Sequence, residues 1–435
     1  MGLFNRKQRL SLITFAVFYF SLFFFCRSNS ARDPGSFFFQ PREGYRPSYT
    51  LQRIHESLNF LSRFNQTAAP SELSAHRNDP SVQHADICIG IVTVKRPLQQ
   101  KIETTVASIV DNLSQAQRST LAIHVLFAQT TPSTHPSYTQ PWVSNALDRA
   151  LTYDHFNDTD ISYLRRLERS KKFFAEKSLI DYRLSLQSCL DYTDAPYFLM
   201  LEDDVVAQRS WYLTTRQAID RIETWQKRSL LSDWLYLRLF YTEKFLGWNA
   251  EHWREYFAWS LLVVVAVASL ALSTRRVTRS THDLLSNSFL LVLCFLCVPL
   301  LILLYFASGR VTVQQPMKPG IHFMNRHGCC SQALLFPRDQ ISRVMTYLQK
   351  MEDQSKPKPV DTTLERFANE FEIDRLAISP PQMQHIGAAS YKEDEKKWRK
   401  GEYPVQGAHG VWSMQFETAY ESVSADGVVV DTLWP

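Results

Sequence analysis

Three consecutive acids, Glu202, Asp203 and Asp204, follow the apolar run PYFLML. Carboxylates that leave a strand into a loop suit a hard divalent cation. Magnesium and manganese favour oxygen ligands and usually take one or two carboxylates together with substrate phosphates. A cation held this way neutralises a diphosphate leaving group, which is Lewis-acid catalysis. The Glu-x-Asp spacing puts Glu202 and Asp204 on the same side of an extended segment, so one can face a metal and the other a sugar or ribose. An acidic strand end is common in its own right, so its position in the fold has to add to the motif.

The surrounding pattern supplies that position. DICIGIVTVKR, from Asp86, is a β-branched run ending in Lys95 and Arg96, as a buried strand would. Ile102 to Leu113 has helical spacing, LAIHVLFA over 121–128 predicts a second strand, and the segment from Lys171 to Tyr192 predicts an amphipathic helix. PYFLMLEDD then reads as an apolar strand stopped by acids. Strands alternating with helices indicate an α/β fold with a largely parallel sheet. In such sheets ligands bind beyond the carboxyl ends of the strands. That rule selects Val92 to Arg96 and Glu202 to Asp204.

Three apolar runs show that the chain is embedded in a membrane. Leu10 to Cys26 carries no charge and follows Arg6, Lys7 and Arg9. It predicts an uncleaved anchor rather than a signal peptide, since no clear small-residue cleavage site follows. Tyr256 to Leu272 and Ser288 to Ala307 are separated by 273–287 and read as a membrane hairpin. A buried core pair is the alternative, but Pro299 would disfavour an ordinary core helix. Basic residues favour the cytosolic side. Arg6, Lys7 and Arg9 therefore put 1–9 in the cytosol, and Arg275, Arg276 and Arg279 put 273–287 there. The expected organisation is an anchor at 10–26, a lumenal stem at 27–84 with a helix over Tyr49 to Phe64, and a catalytic domain in two parts, 85–255 and 308–435. Helices at 256–272 and 288–307 interrupt it. The sequons Asn65-Gln66-Thr67, Asn112-Leu113-Ser114 and Asn157-Asp158-Thr159 all fall on the lumenal side. So do Cys88, Cys189, Cys329 and Cys330, where disulfides are permitted. The adjacent pair reads either as a vicinal disulfide or as two cysteines, one paired with Cys88 or Cys189. Without a C-x-x-C pair among them a zinc site is not expected. Lys392 to Lys397 reads as a solvated charged turn. A net charge of +5 without a dense Lys/Arg block argues against a nucleic-acid partner.

The anchor, the stem and YFLMLEDDVV together resemble a GT-A nucleotide-sugar glycosyltransferase with a DXD-type motif. DWLYLRLFYTEKFLGW (233–248), KPVDTTLERFA (358–368) and PPQMQHIGAAS (380–390) are similar to motifs of the N-acetylglucosaminyltransferase-IV group. A hairpin directly after FLGW is not a feature of that group. With IVTVKR, LEDDVV and GIHFMNRHGCCSQALLFPR (320–338), it resembles the post-GPI-attachment GalNAc-transferases, multi-pass Golgi enzymes that add a GalNAc side branch to the first mannose of the GPI glycan. The resemblance covers nearly the whole chain from Asp86. It implies a UDP-GalNAc donor, Mn2+ and GPI-anchored proteins as acceptors. Val92, Thr93 and Val94 would line the uridine pocket, and Lys95 and Arg96 would reach the diphosphate. Asp204 would ligate manganese, with Glu202 and Asp203 holding the metal shell and the ribose, and His385 would be a distant metal or diphosphate ligand. An inverting transfer needs a carboxylate base at the acceptor hydroxyl. Asp361 and Glu243 are the two candidates, although Asp361 also reads as a helix N-cap with Glu365 near capping-box spacing.

A GPI-anchored acceptor is tethered to the bilayer, and helices inserted within the catalytic domain would keep the cleft at its height, raising effective concentration as tethering does. Two rivals remain at this stage: a Golgi GlcNAc-transferase acting on N-glycans, and a non-catalytic membrane factor on a transferase scaffold. A transporter is disfavoured because no charged residue lies within the three runs to mark a pathway.

Overall fold

In the computed structural model the chain forms two compact units, Met1–Arg46 with Glu243–Pro316, and Pro47–Thr242 with Met317–Pro435. The structure describes residues 4–66, 84–96, 99–157, 159–277, 279–315, 317–324, 328, 330–387 and 411–418. Lys392 to Lys397, Cys329, Thr67 of the first sequon and Asp158 of the third lie outside the described residues. The stretch read as a stem divides between the units. Residues up to Arg46 go with the apolar helices, and Tyr49–Gln66 packs on the α/β unit through Leu61 and through Arg53, whose guanidinium bonds the Ala207 carbonyl at 3.0 Å and Asp111 at 2.9 Å.

The α/β unit is built on β1 (Ile87–Thr93), β2 (Leu121–Phe127), β3 (Arg149–Leu151), β4 (Tyr197–Glu202), β6 (Trp234–Arg238), β7 (Gly320–Phe323), β8 (Ala333–Pro337) and β9 (Asp374–Ser379). They form one eight-stranded sheet in the order β3-β2-β1-β4-β8-β6-β9-β7. The first four run parallel, as their continuous apolar runs require of strands covered on both faces. The sheet as a whole is mixed rather than largely parallel, because β8 enters antiparallel between β4 and β6 and β7 lies antiparallel on β9. A two-stranded ladder joins β5 (Val205–Ala207) to β10 (Met383–His385), pairing Val205 with His385.

Helix Phe174–Tyr192 lies against β1 at close range. A Cβ on Gly90 would stand 2.7 Å from Ser185 Oγ and 2.8 Å from Met200 Sδ, so only glycine allows that approach. Two residues earlier on the same face, Cys88 is disulfide-bonded to Cys189 of that helix, one turn beyond Ser185. The crosslink spans 101 residues, and in the chain-entropy picture a loop of that length contributes about 4–5 kcal/mol. The alternative in which one of the adjacent cysteines pairs with Cys88 or Cys189 is thereby excluded; Cys330 is itself disulfide-bonded.

The other unit holds three helices long and apolar enough to cross a membrane: Arg6–Asn29, Glu243–Arg275 including its leading turns, and Asn287–Ala307. Pro299 interrupts the third. Proline has no N–H to offer the carbonyl four residues back, and the ladder slips to a π turn over Leu293–Cys297, with the Val298 N–H on the Leu293 carbonyl. At one end of this unit the Gln8 amide donates to the carbonyls of Asp283 (3.1 Å) and Leu284 (2.9 Å) and to Ser286 Oγ (2.8 Å). At the other, Asp33 accepts from the Gly35 N–H and the Thr312 N–H, both at 2.8 Å, and the Trp248 indole N–H donates to the Phe306 carbonyl at 3.0 Å. Gly309, at φ +84°, leaves no room for a Cβ against Asp33.

Candidate active site

Chain order places the candidate site. From β1 the chain steps outward to β2 and β3, then returns to place β4 on the other side of β1. The strand order therefore reverses between β1 and β4, the crevice where open α/β sheets bind ligands. Val92 and Glu202 are register partners there. Thr93 to Arg96 leave β1 and Asp203 and Asp204 leave β4 at this point. Helix Ile102–Val110 fixes the acidic turn: Thr105 Oγ1 donates to the Val205 carbonyl at 2.8 Å and lies 3.2 Å from the Val205 N–H.

The three acids have different surroundings. Asp203 accepts from Thr93 Oγ1 at 2.7 Å and from Arg96. Asp204 pairs with Arg96 at 2.9 Å and, through the same Oδ2, with His385 Nε2 at 3.4 Å. Glu202 accepts from Ser331 Oγ at 2.8 Å and from the Gln332 amide at 3.4 Å. Burial, aided by the Asp204 charge, pushes the Glu202 carboxyl up to about 7. For Asp204 burial acts upward too, but His385 and Arg96 overcome it and hold the group below the usual carboxylate range. Burial depresses His385 while Asp204 raises it, and the net direction is up. Arg96 also ends above its ordinary value, against burial, because Asp203 and Asp204 face it. Lys101 is lowered by burial and by the neighbouring Arg96.

Two features fit a divalent cation beside Asp204. Its Oδ1 is buried and has no hydrogen-bond partner among the described residues, an arrangement that costs free energy unless something binds there. Gly387 keeps the approach open: a Cβ there would lie 2.2 Å from Asp204 Oδ2 and 2.8 Å from His385 Nε2. Asp204 and His385 could together hold such a cation and bring Lewis-acid charge to a phosphate there. Glu202 is drawn toward Ser331 and Gln332 instead. Among the described residues the three-residue group with ligand atoms all within 4.8 Å is Cys88, His124 and Cys189, and there the disulfide occupies both sulfurs.

The remaining sequence candidates separate. Thr93 is fully buried with its hydroxyl on Asp203, while Val92 and Val94 pack partly against the apolar cluster around Leu126, Ala128 and Tyr153. Val94 and Lys95 also line a cavity of ≈ 140 Å³ with Gln129, Phe174 and Lys177. A larger recess of ≈ 450 Å³, between His155 and Glu352, contains none of the candidates. Asp361 is half-buried and is the second residue of helix Val360–Glu370, whose N-cap is Pro359, so it is not the N-cap. Its charge is felt at Arg238, the last residue of β6. Glu243 is buried and belongs to the unit of apolar helices.

Several contributors were not assigned from sequence. Ser331 and Gln332 stood inside a quoted motif without roles. Gly387, two residues after His385, was a readable sign that backbone must come close. Glu365, which looked like a capping residue, is instead buried between Arg238 (2.9 Å) and Arg375 (2.7 Å) and accepts from Tyr236. Burial and the adjacent Glu365 push the Tyr236 hydroxyl well up, against Arg238. Nothing local in TLERFA marks that role, which depends on β6 and β9 meeting the helix.

Comparison with protein families matches residues 87–384 to the family described as GPI-N-acetylgalactosamine transferase PGAP4. Comparison with curated proteins gives no match.

Proposed function

The chain belongs to the GPI-N-acetylgalactosamine transferase family, and we propose that it moves N-acetylgalactosamine from UDP-GalNAc to the first mannose of the GPI glycan on GPI-anchored proteins. We read the transfer as Mn2+-dependent and inverting, on a GT-A-like unit in the Golgi lumen. The observation that carries this reading is the Asp204–His385 pair, 3.4 Å apart at the β1–β4 switch point, with the buried Asp204 Oδ1 unsatisfied. An acidic turn at a sheet switch point is one arrangement that can hold a cation against a diphosphate.

Asp204 and His385 would hold the cation, which supplies Lewis-acid charge to the diphosphate. Asp203, held by Thr93 and Arg96, orients the acidic turn. Arg96, paired with both Asp203 and Asp204, could release one carboxylate and take a phosphate oxygen in exchange. Lys95, exposed at the strand end, adds positive potential for the incoming diphosphate. Val92 and Val94 give the base an apolar wall. The acceptor hydroxyl loses its proton to a carboxylate. We assign that role to Asp361, half-exposed in the α/β unit, ahead of the buried Glu243.

The proposed topology has the chain crossing the membrane three times, with 273–287 cytosolic and both parts of the α/β unit lumenal. The Cys88–Cys189 crosslink supports an oxidising compartment. Asn112 and Asn157, each the acceptor of a sequon, are exposed, as glycosylation in a lumen would need. A screen of UDP-GalNAc, UDP-GlcNAc and UDP-Gal on a GPI-glycan acceptor and on an N-glycan tests the reading. GalNAc transfer confined to the GPI glycan is expected. GlcNAc transfer to the N-glycan would replace it.

A further inference from the structure

The segment Val411–Thr418 is bound at two points to β10, which carries His385, and through Phe416 and Glu417 to β5 and the start of helix Tyr49–Gln66. The Val411 carbonyl lies 3.0 Å from His385 Nδ1. A carbonyl only accepts, so Nδ1 carries the proton and Nε2, the nitrogen facing Asp204, keeps its lone pair in the neutral ring. One residue before His385, the fully buried Gln384 clamps Ser413 twice: its Oε1 accepts the Ser413 N–H at 3.0 Å and its amide donates to the Ser413 carbonyl at 2.8 Å. Phe416, also fully buried, packs on Tyr49 and Val206. Glu417 then accepts the N–H groups of Ser48 (2.7 Å) and Thr50 (3.2 Å) and the Thr50 hydroxyl, capping the N-terminus of helix Tyr49–Gln66.

We propose that Val411–Thr418 is a strap that fixes the tautomer and ring orientation of His385 for metal binding, with Gln384 and Glu417 as the positioning residues that hold the strap. Metal-bound histidines commonly donate their second N–H to a carbonyl or carboxylate, and disturbing that partner typically weakens metal binding about 10–100-fold. Here the partner is a backbone carbonyl, which no side-chain substitution removes. Its position is nevertheless set by Gln384, one residue from the ligand, and by Glu417, which ties the strap to the first helix of the α/β unit. The inference rests on His385 being a metal ligand.

The test is Mn2+ affinity in the presence of UDP, read by electron paramagnetic resonance on the full chain in detergent. The variants are Gln384→Met, which keeps the volume and removes both clamps, and Glu417→Gln, which keeps the shape and removes the charge; thermal unfolding confirms that each is folded. An increase in the Kd for Mn2+ of about 10-fold or more is expected for Gln384→Met, and a smaller one for Glu417→Gln. If Gln384→Met does not fold, Glu417→Gln decides. Folded variants binding Mn2+ within about twofold of the parent, while His385→Ala abolishes binding, would overturn the strap and leave the metal site standing. A parent protein that binds no Mn2+ with UDP would remove both.

Discussion

Asp204 and His385 meet through Oδ2 and Nε2 at 3.4 Å although 181 positions separate them in the chain, because β5 and β10 form a two-stranded ladder that pairs Val205 with His385. The Ile386 N–H on the Asp204 carbonyl at 2.8 Å locks the same register. The ladder thus brings an acid just past β4 together with a histidine far along the chain.

That closeness makes Gly387 the most sensitive small residue nearby. A methyl at Gly387→Ala would overlap Asp204 Oδ2 at 2.2 Å and His385 Nε2 at 2.8 Å. The pair must separate, and a displacement of about 1 Å at a positioned group can cost about 100-fold in rate. GalNAc transfer by Gly387→Ala is expected to fall by about that factor in kcat/KM, with the unfolding temperature nearly kept. Parental activity would show that the contact carries no chemistry.

Arg96 pairs with both Asp203 and Asp204, which are buried. Removing one partner of a buried pair leaves an uncompensated charge, at a cost of about 3–5 kcal/mol. Arg96→Met is expected to lower stability in denaturant by about that amount. Adding Asp203→Asn is expected to recover part of it. A single variant within about 0.5 kcal/mol of the parent would mean that the acids are satisfied some other way.

His124 on β2 lies beside the Cys88–Cys189 crosslink, with Nδ1 near Ser188 Oγ at 3.2 Å. Complete burial, and then the Arg149 charge, lower its pKa from 6.5 to about 3. The native ring stays neutral where the unfolded chain binds a proton, so stability is lost as pH falls from 6.5 toward 3. At about pH 5 the loss is on the order of 2 kcal/mol. His124→Leu is expected to flatten the fall in unfolding temperature between neutral pH and about pH 5. Parallel curves for the two proteins would contradict the buried neutral ring.

Much of the first half of the α/β unit was legible in the sequence. The runs at Ile87–Thr93, Leu121–Phe127 and Tyr197–Glu202 are strands, and Phe174–Tyr192 is the helix expected there. Each declares itself through local periodicity, and the switch-point rule then brings Arg96 and the acid triplet together. The second half was less readable. The antiparallel entry of β8 between β4 and β6 is a pairing between distant segments with no local signature, and it delivers Ser331 and Gln332 to Glu202. Asp361 looks like an N-cap because TLERFA follows it, yet Pro359 takes that position and the helix starts earlier. The strap at Val411–Thr418 is short and polar at several positions, and nothing in its own residues foretells that Val411 meets His385.

The most direct measurement is GalNAc transfer from UDP-GalNAc to a GPI-glycan acceptor by the purified full chain, with Mn2+ and after chelation, for the parent and Asp204→Asn. Transfer that requires Mn2+ in the parent and falls by about 1000-fold or more in Asp204→Asn is expected, in keeping with loss of several kcal/mol of charge stabilisation. Equal transfer by Asp204→Asn, or transfer indifferent to chelation, would contradict a metal-bound donor held at the β1–β4 crevice.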